Sequence, residues 1–456
     1  MTSFRFLTIL STSALFAGLW ACSSDNSAGS GSTADAGTTL PTDSGTTTAD
    51  AGCNAIPPTG FTQIVPTAAA SGGDPGGSVA MTLDAAGNPV AAYLDGLDTA
   101  RTLKTLRWDS CAGTWTTPVQ VDTIGALDDT WSVAIATDAS DGRIAIAYTK
   151  ILNGASSNPT LAAFVAISTD AGKTFTPKQV TVETSGDATN VDSTVVALGG
   201  GKTFVAYNQG GKACPTNSTV GCRAGTVIAS SVAGAAFTYE VVSDGVDADV
   251  SGHLIARSGF HIGIAVDANN VVAVATHAEP QTGYNTSAWF CRSGTTCSKV
   301  MDSQNAQNDD GSAELAFIGT TATVITKLHL GTSDTFDFRA STSTDGTTWS
   351  AVTPLPRDGD AVSSALSRTG ITTNGTHVVL FASASQGTSA AKFGAPKIFT
   401  SGTPWTVSGA DGEGTTQPTG YYPTGRLTKA GKYMLTFQGS VPHTDPESGV
   451  TFWFQP

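Results

Sequence analysis

The sequence predicts an all-β protein built from one repeated unit. Turn-forming residues are abundant, with 51 Gly and 20 Pro among 456 residues. Short runs of small and β-branched residues alternate with Gly, Asp and Asn turns, which is the pattern of strands joined by hairpins. The same succession of strand, turn and strand returns at intervals of roughly 40 to 55 residues, a period typical of repeat folds.

Charge composition narrows the classes of function. The chain carries 37 acidic against 23 basic residues, for a formal net charge of -14. This excess of acid disfavours nucleic acid as a partner, because binding to phosphates needs clustered Lys and Arg. Charged residues make up only 13% of the chain, and the strong helix formers Leu, Glu, Lys and Arg are sparse. A helical bundle is therefore disfavoured as well.

The first 21 residues have the features of an export signal. Arg5 provides a positive charge, and an apolar run follows from Phe6 to Trp20. This run is short for a membrane span and lies at the N-terminus, as the apolar region of a secretory signal peptide does. We therefore predict that residues 1–21 are a signal peptide.

Residues 19–22, Leu-Trp-Ala-Cys, resemble the lipobox of bacterial lipoproteins. The resemblance implies that Cys22 becomes the lipidated first residue of the mature chain. The alternative is an ordinary cleaved signal in which Cys22 has no role. Ser23 and Ser24 follow rather than Asp, which implies the outer membrane or cell surface of a bacterial envelope. Several acyl chains anchor a protein stably, so the membrane is expected as a partner through this lipid alone.

Residues 22–52 are predicted to form a flexible, lipid-anchored tether. They are Ser, Thr, Gly, Ala and Asp with almost nothing to bury, and the pentapeptide Thr-Ala-Asp-Ala-Gly occurs twice, ending at Gly37 and Gly52. A random coil of this length has ends roughly 30 Å apart on average. The tether would hold a domain of residues 53–456 away from the membrane.

Six cysteines remain after Cys22, and an exported protein can form disulfides. Six cysteines allow fifteen pairings, so the pairing is an interpretation. Two pairs bracket short polar loops and are expected to close hairpins, which leaves the remaining two to each other. A zinc site is disfavoured because no Cys-x-x-Cys occurs and the histidines are scattered. The predicted disulfides are Cys214–Cys222, Cys291–Cys297 and Cys53–Cys111.

Each repeated unit contains four strands. In the first unit, residues 79–83 lead through an Asp-Ala-Ala-Gly-Asn turn at 84–88 into residues 89–93. The second unit repeats this at residues 133–148. A variable loop, a third strand, another turn and a fourth strand follow. Small and β-branched strands of this kind suit the crowded centre of a propeller blade, so we predict a β-propeller of four-stranded antiparallel blades.

Seven units can be counted, and six blades is the alternative count. The last unit has only three predicted strands, at about residues 422–428, 433–438 and 450–454. The segment at 60–66, Gly-Phe-Thr-Gln-Ile-Val-Pro, resembles the fourth strands predicted at 114–119 and 174–177. We therefore predict that an N-terminal strand completes the last blade, which removes an open sheet edge and brings Cys53 to the seam.

A family resemblance comes from the turns between third and fourth strands. Residues 168–175, Ser-Thr-Asp-Ala-Gly-Lys-Thr-Phe, match the Asp-box of bacterial neuraminidase repeats, residues 343–349 are a shorter variant, and residues 109–115 are a degenerate third copy. The resemblance implies a sialidase-like propeller with the Asp-boxes opposite the active face. It implies a structural role, with Asp capping backbone N–H groups, for Ser168, Asp170, Gly172, Thr174, Phe175, Ser343, Asp345, Gly346, Thr348 and Trp349.

The loops that join successive units all carry acid. Turn chemistry explains Asp in surface loops. The functional alternative is a negative mouth that holds a cation or a cationic ligand. Hard cations take several oxygen ligands, so calcium is an alternative, although no cofactor is required. The weak metal candidates are Asp244, Asp247, Asp249, Asp309 and Asp310.

Several side chains at the same face could carry chemistry, although no motif selects them. His277 with Glu279 or Asp309 could perform acid–base work, and paired carboxylates could act on sugars. Tyrosines at second-strand ends, such as Tyr93 and Tyr148, are expected to serve packing. The weak catalytic candidates are Asp129, Asp309, His277, Glu279, Tyr422 and Arg426.

Two classes of function follow. The first is a surface-exposed lipoprotein whose noncatalytic, monomeric propeller binds glycan or protein ligands. The second is a glycoside hydrolase that acts on neutral sugars with mouth carboxylates. An exo-sialidase is disfavoured, because no arginine triad is selected by a motif and an acidic mouth would repel an anionic sugar.

Overall fold

The computed structural model describes the chain in segments between residues 53 and 456. The described residues are 53–65, 77–96, 101–125, 133–152, 161–181, 194–209, 225–232, 234–243, 255–280, 287–302, 313–329, 336–356, 369–383, 396–409, 421–438 and 449–456. The predicted signal peptide, Cys22 and the tether lie outside these ranges, as do Cys214 and Cys222. Across the described segments, no helix has the length and apolar character needed to cross a membrane.

The described residues form 29 strands in seven sheets, each sheet one blade. The first strand of the propeller is β1 (Gly60–Val65). Blade 1 contains β2 (Gly77–Leu83), β3 (Pro89–Asp95), β4 (Arg101–Asp109), β5 (Thr114–Trp115) and β6 (Val119–Gly125). Blade 2 contains β7 (Val133–Thr137), β8 (Ile144–Ile151), β9 (Leu161–Ser168) and β10 (Thr176–Gln179). Blade 3 contains β11 (Thr194–Gly199), β12 (Lys202–Gln209), β13 (Gly225–Val232) and β14 (Thr238–Ser243).

The remaining blades repeat this order. Blade 4 contains β15 (Ile255–Val266), β16 (Val272–Pro280), β17 (Ser287–Arg292) and β18 (Ser298–Asp302). Blade 5 contains β19 (Ala313–Ile318), β20 (Thr321–His329), β21 (Phe336–Ser343) and β22 (Thr353–Pro354). Blade 6 contains β23 (Gly370–Thr373), β24 (Val378–Ser383), β25 (Pro396–Thr400) and β26 (Thr406–Gly409). Blade 7 contains β27 (Tyr421–Leu427), β28 (Tyr433–Gln438) and β29 (Val450–Phe454), with β1 as its fourth strand.

The seven blades close into a ring. The inner strand of each blade contacts the inner strand of the next, and β27 of blade 7 contacts β2 of blade 1. Strand β1 pairs antiparallel with β29, with Phe61 opposite Trp453 and Thr62 opposite Phe452. The predicted seven blades and the N-terminal closing strand are therefore correct, and the alternative of six blades is wrong.

The core lies between blades, because every central strand is buried on both faces. In β24, Val378 and Leu380 pack with the apolar cluster shared with blade 5. Val379 and Phe381 point the other way and pack with Leu435 of blade 7. Alternate residues of one strand thus serve two interfaces, which explains why these strands are continuous apolar runs rather than alternating ones.

The seam between blades 7 and 1 is joined covalently. Cys53 forms a disulfide with Cys111, as predicted. The Ala55 N–H donates to the Ser110 carbonyl over 3.1 Å, and the Trp108 Nε1–H donates to the Ala55 carbonyl over 2.6 Å. The segment before β1 is therefore tied to the third strand of blade 1.

The outer strands of blades 1 and 2 differ from the prediction. Residues 114–119 are not one strand, because β5 ends at Trp115 and β6 begins only at Val119, beyond Pro118. Proline has no N–H to donate to a ladder, which accounts for the break. β6 then pairs with β4 and gives this sheet five strands. In blade 2 the outer strand is β10 (Thr176–Gln179) rather than residues 174–177.

Candidate functional site

The two faces of the ring differ in their connections. In an antiparallel blade, the turns after the first and third strands lie at one end, here called the turn face. The loops after the second strand and those between blades lie at the other end, here called the mouth face. Each mouth-face connection includes residues outside the described ranges. These connections hold the candidates Asp129, Asp244, Asp247, Asp249, Asp309 and Asp310, so their geometry is not tested.

Three other candidates lie on described strands. His277 and Glu279 belong to the mouth-facing end of β16, where the backbone register pairs Glu279 with Arg257. Tyr422 lies at the mouth-facing start of β27. The strands thus bring these residues to the expected face, each from the position that the repeat predicts.

Arg426 is not at the mouth face. β27 runs from the mouth face at Tyr421 to the turn face at Leu427, and Arg426 pairs in register with Met434 beside the turn. The expectation that Arg426 enters a mouth pocket is therefore wrong. Arg426 lies five positions after Tyr421, on a strand that runs from the mouth face to the turn face.

The tyrosines at second-strand ends are buried. Tyr93 and Tyr148 are each 1% exposed, and Tyr207 is 3% exposed. Burial, with a smaller contribution from the nearby Asp95, raises the pKa of the Tyr93 hydroxyl well above its usual value. Burial likewise raises the pKa of Tyr207. These hydroxyls stay protonated at neutral pH, which agrees with the predicted packing role.

Tyr148 belongs to a charged cluster between blades 1 and 2. Its hydroxyl donates to Asp122 Oδ2 over 2.7 Å. The Lys150 ammonium donates to Asp122 Oδ1 and Oδ2 over 2.8 and 2.9 Å and lies 5.2 Å from the Phe164 ring centroid. Burial, followed by the hydrogen bond to Asp122, raises the pKa of Tyr148. The carboxylate is therefore fully engaged by a neutral phenol and an ammonium.

Sequence reasoning missed Asp122. It lies on β6, a strand that Pro118 separates from the predicted outer strand, so the repeat gave no position for it. A comparable ion pair joins Asp95 and Lys104 in blade 1. Lys104 and Lys150 both lie near the mouth-facing ends of their strands, and each forms an ion pair with an aspartate there.

Buried charges occur at both faces. Asp84, Asp138 and Asp267 are buried in first turns at the turn face, where Arg143 is buried beside Asp138. Three further buried bases occupy mouth-facing strand ends: Arg101 is 0%, Lys327 3% and Lys397 6% exposed. Loop composition alone predicts a negative mouth, whereas the described strand ends beneath the loops also carry bases, some of them paired with Asp95 and Asp122. Arg101 and Lys397 gave no sequence signal, because neither belongs to a recognisable motif.

The first Asp-box folds as the resemblance implies. Asp170 Oδ1 accepts hydrogen bonds from the Thr174 N–H over 2.9 Å and from the Ser168 hydroxyl over 2.8 Å. The Ser168 hydroxyl in turn accepts from the Gly172 N–H over 2.8 Å. Although burial opposes it, the hydrogen bonds, chiefly those from Thr174, lower the pKa of Asp170 to about 2. The box is thus a rigid turn in which the carboxylate is already saturated.

The second Asp-box joins two blades. Asp345 Oδ1 accepts from the Thr347 and Thr348 N–H groups, each over 2.7 Å. These bonds, first that of Thr348, hold the pKa of Asp345 well below its usual range. Trp349 donates from Nε1 to the Ser298 hydroxyl of blade 4 over 3.0 Å, and its ring lies 5.3 Å from that of Phe290. The aromatic residue therefore fastens blade 5 to blade 4.

The degenerate Asp-box at residues 109–115 keeps the capping aspartate but lacks the serine that precedes it in the other two boxes. Asp109 Oδ1 accepts from the Cys111 and Ala112 N–H groups over 3.0 and 3.1 Å. Trp115 packs 5.0 Å from Phe452 of blade 7. The three boxes therefore share one function, which is to cap a turn and to pack an aromatic residue on the preceding blade.

No group of three or more His, Cys, Asp or Glu side chains able to hold a metal occurs in the described segments. The calcium candidates lie outside them, so this finding does not bear on calcium in the loops.

Comparison with known proteins gives structural neighbours only. No protein-family model and no curated protein matches the chain. Trypanosoma rangeli sialidase in complex with sialic acid aligns with 88% of this chain at 11% identity and a TM-score of 0.49. The chain covers only 59% of that enzyme's length. A Dyadobacter fermentans protein of unknown function aligns with 86% of this chain and 96% of its own, at 12% identity and a TM-score of 0.48.

A leech intramolecular trans-sialidase aligns with 83% of this chain and 67% of its own length, at 13% identity and a TM-score of 0.42. All three of these neighbours have TM-scores below 0.5. At such identities the likeness concerns the fold and transfers no active-site residue.

Proposed function

We propose that the propeller is a noncatalytic, monomeric module that binds glycan or protein ligands at its mouth face. A lipid on Cys22 and the tether of residues 22–52 would display it from the bacterial outer membrane or cell surface. The proposal rests chiefly on the Asp122–Tyr148–Lys150 cluster near the mouth-facing strand ends.

The cluster contains a tyrosine beside a carboxylate, as a site with a tyrosine nucleophile would, but Tyr148 lacks the properties of a nucleophile. A nucleophile must reach the substrate and lose its proton readily. Tyr148 is 1% exposed, and its pKa is raised rather than lowered. Asp122 cannot act as its base without giving up the Lys150 ion pair. The arrangement therefore supports interblade stability.

Carboxylates elsewhere in the described residues are engaged in structure. Asp170 and Asp345 cap Asp-box turns, and Asp138 and Asp267 cap first turns by accepting backbone N–H groups of Ser140 and Asn269. A glycosidase needs two carboxyl groups flanking the scissile bond, one of them able to donate a proton. These caps lie on the turn face, opposite the mouth, so they do not supply such a pair of carboxyl groups there.

The test uses residues 53–456 with a panel of fluorogenic glycosides, neutral and sialylated, with and without calcium, alongside a glycan array. We expect no turnover and saturable binding that Asp129→Asn or Asp309→Asn alters. Asp170→Asn is the matched control on the turn face and should leave binding unchanged. Turnover that Asp129→Asn or Asp309→Asn abolishes would overturn the proposal in favour of a glycoside hydrolase.

The proposal requires no cofactor, and calcium remains a separate sequence-based alternative. Calorimetric titration of EDTA-treated protein with CaCl₂ distinguishes the two. Heat that saturates in the wild type and disappears in Asp309→Asn or Asp247→Asn would place calcium in those loops.

A further inference from the structure

Arg426 crosses the inside of the ring. It lies on β27, the inner strand of blade 7, and its Nη2 donates to the Ile135 carbonyl over 3.2 Å. Ile135 lies on β7, the inner strand of blade 2. Blade 1 stands between these two blades and its inner strand β2 contacts both. The guanidinium therefore passes β2 on the side of the central channel.

The charge of Arg426 has no carboxylate partner. Its Nη1 donates to the Gly425 carbonyl over 2.8 Å, and with the Ile135 contact this accounts for two of the five N–H donors of a guanidinium. By contrast, Arg143 pairs with both Asp138 and Asp141 at the turn face. Within the described segments, carbonyl dipoles alone oppose the Arg426 charge.

Arg426 is neither fully exposed nor fully buried. The side chain of Arg426 is half-buried, so some of its surface faces a space that water can enter. Burial nevertheless lowers the pKa of the guanidinium to about 10. A cation that is poorly solvated and uncompensated is unfavourable unless an anion lies beside it.

The channel wall can supply further donors. Each inner strand pairs with only one neighbour in its sheet, so its other edge presents unpaired backbone N–H and C=O groups towards the channel. The edge of a sheet can form an anion-binding concavity, because its unpaired N–H groups donate hydrogen bonds to the anion.

We propose that the central channel binds a small anion at Arg426, such as a halide, nitrate or a compact carboxylate. The site is independent of the mouth face, because it lies at the level of the turn-face end of β27. Its anion would neutralise the guanidinium and hold blades 7, 1 and 2 together.

The first test is crystallographic and needs no variant. Crystals of residues 53–456 are soaked in bromide, and anomalous scattering locates the ions. We expect a peak in the channel within hydrogen-bond distance of the Arg426 guanidinium. Bromide peaks elsewhere with none at Arg426 would overturn the proposal.

The second test measures stability at constant ionic strength. Chloride, bromide and nitrate replace gluconate, and the wild type should show a saturable rise of about 1 to 2 °C in melting temperature. Arg426→Met should lose this dependence, and Arg143→Met, the matched control, should retain it. A bromide peak at Arg426 together with an unchanged anion response in Arg426→Met would mean an adventitious ion only and would overturn the proposal. Should Arg426→Met fail to fold, the neutral variant Arg426→Gln replaces it, and a response equal to that of the wild type would contradict the site.

Discussion

The Glu240 carboxylate of blade 3 accepts a hydrogen bond from the Gly294 backbone N–H of blade 4 over 2.7 Å. Its second oxygen accepts from the Ser293 hydroxyl over 2.5 Å. Residues 293–297, Ser-Gly-Thr-Thr-Cys, correspond to the Asp-Gly-Thr-Thr-Trp of the Asp-box at 345–349. Blade 4 thus lacks the box aspartate and receives a carboxylate from its neighbour instead.

The aromatic residue of the box is also replaced in blade 4. Cys297 stands where Trp349 stands in blade 5, forms the predicted disulfide with Cys291, and packs against Val242 and Ile228 of blade 3. In blade 4, the Glu240 carboxylate of blade 3 therefore replaces the Asp-box aspartate, and the Cys291–Cys297 disulfide replaces the Asp-box tryptophan.

Removal of the Glu240 cap should destabilise the interface between blades 3 and 4. Hydrogen bonds to a charged group at a partly exposed site contribute roughly 1 to 2 kcal/mol. We expect Glu240→Ala to lower the free energy of unfolding by about that amount in urea titrations, and Glu240→Gln to lose less, because the amide still accepts one bond. Equal stability of wild type and Glu240→Ala would show that the cap contributes nothing.

The two described disulfides should differ in their contribution. Cys53 and Cys111 are 58 residues apart, whereas Cys291 and Cys297 are 6 apart. By chain entropy, the longer loop is worth about 4 kcal/mol and the shorter about 2 kcal/mol. Urea unfolding of Cys53→Ser/Cys111→Ser and of Cys291→Ser/Cys297→Ser measures both. A greater loss in the second pair would contradict this order.

Any side chain at Gly346 should lower the stability of the fold. It has a φ of +76°, and an added Cβ would lie 2.8 Å from Phe290 Cε1 of blade 4. We expect Gly346→Ala to cost roughly 2 to 4 kcal/mol through backbone strain and the interblade clash. Gly375 has a φ of +84° with nothing within 4 Å of a Cβ, so Gly375→Ala measures strain alone. Equal losses would show that Phe290 moves aside freely.

Asp170 should make stability depend on pH in the acid range. Its folded pKa of about 2 lies below the unfolded value of about 3.9. Its contribution is therefore present above pH ~4 and is lost as pH falls towards ~2. We expect Asp170→Asn to cost about 1 kcal/mol at pH 7, since the carboxylate is partly exposed, and almost nothing at pH 2. A difference that stays constant over this range would be contrary to the assignment.

The buried tyrosines should ionise only when the protein unfolds. Tyr93, Tyr148 and Tyr207 have folded pKa values raised above the unfolded value of about 10, so the stability linked to them is complete below pH ~10 and lost above it. After a jump to pH ~11.5, absorbance at 295 nm should show a delayed phase that follows the circular dichroism signal. Tyr207→Phe should reduce the amplitude of that phase. Ionisation of all eight tyrosines within the mixing time, with a native circular dichroism signal, would contradict the burial.

Local patterns in the sequence were enough to predict the repeated blade, its count and its closing strand. Hairpin turns and Asp-boxes involve residues within eight positions of one another, so their chemistry is visible in a short window. The strand bounds predicted at 433–438 and 450–454 agree with β28 and β29 for the same reason. Pro118 carried a signal for the break after β5, although the continuation into β6 depends on pairing with β4.

The tertiary structure alone decided which residues meet across blades. Glu240 and Gly294 are 54 positions apart, and Arg426 and Ile135 are 291 apart. Such contacts depend on how neighbouring sheets are placed around the ring, and no period in the sequence encodes that placement. The burial of Tyr148 beside Asp122 is of this kind too, because desolvation belongs to the packed interface and not to the residues themselves.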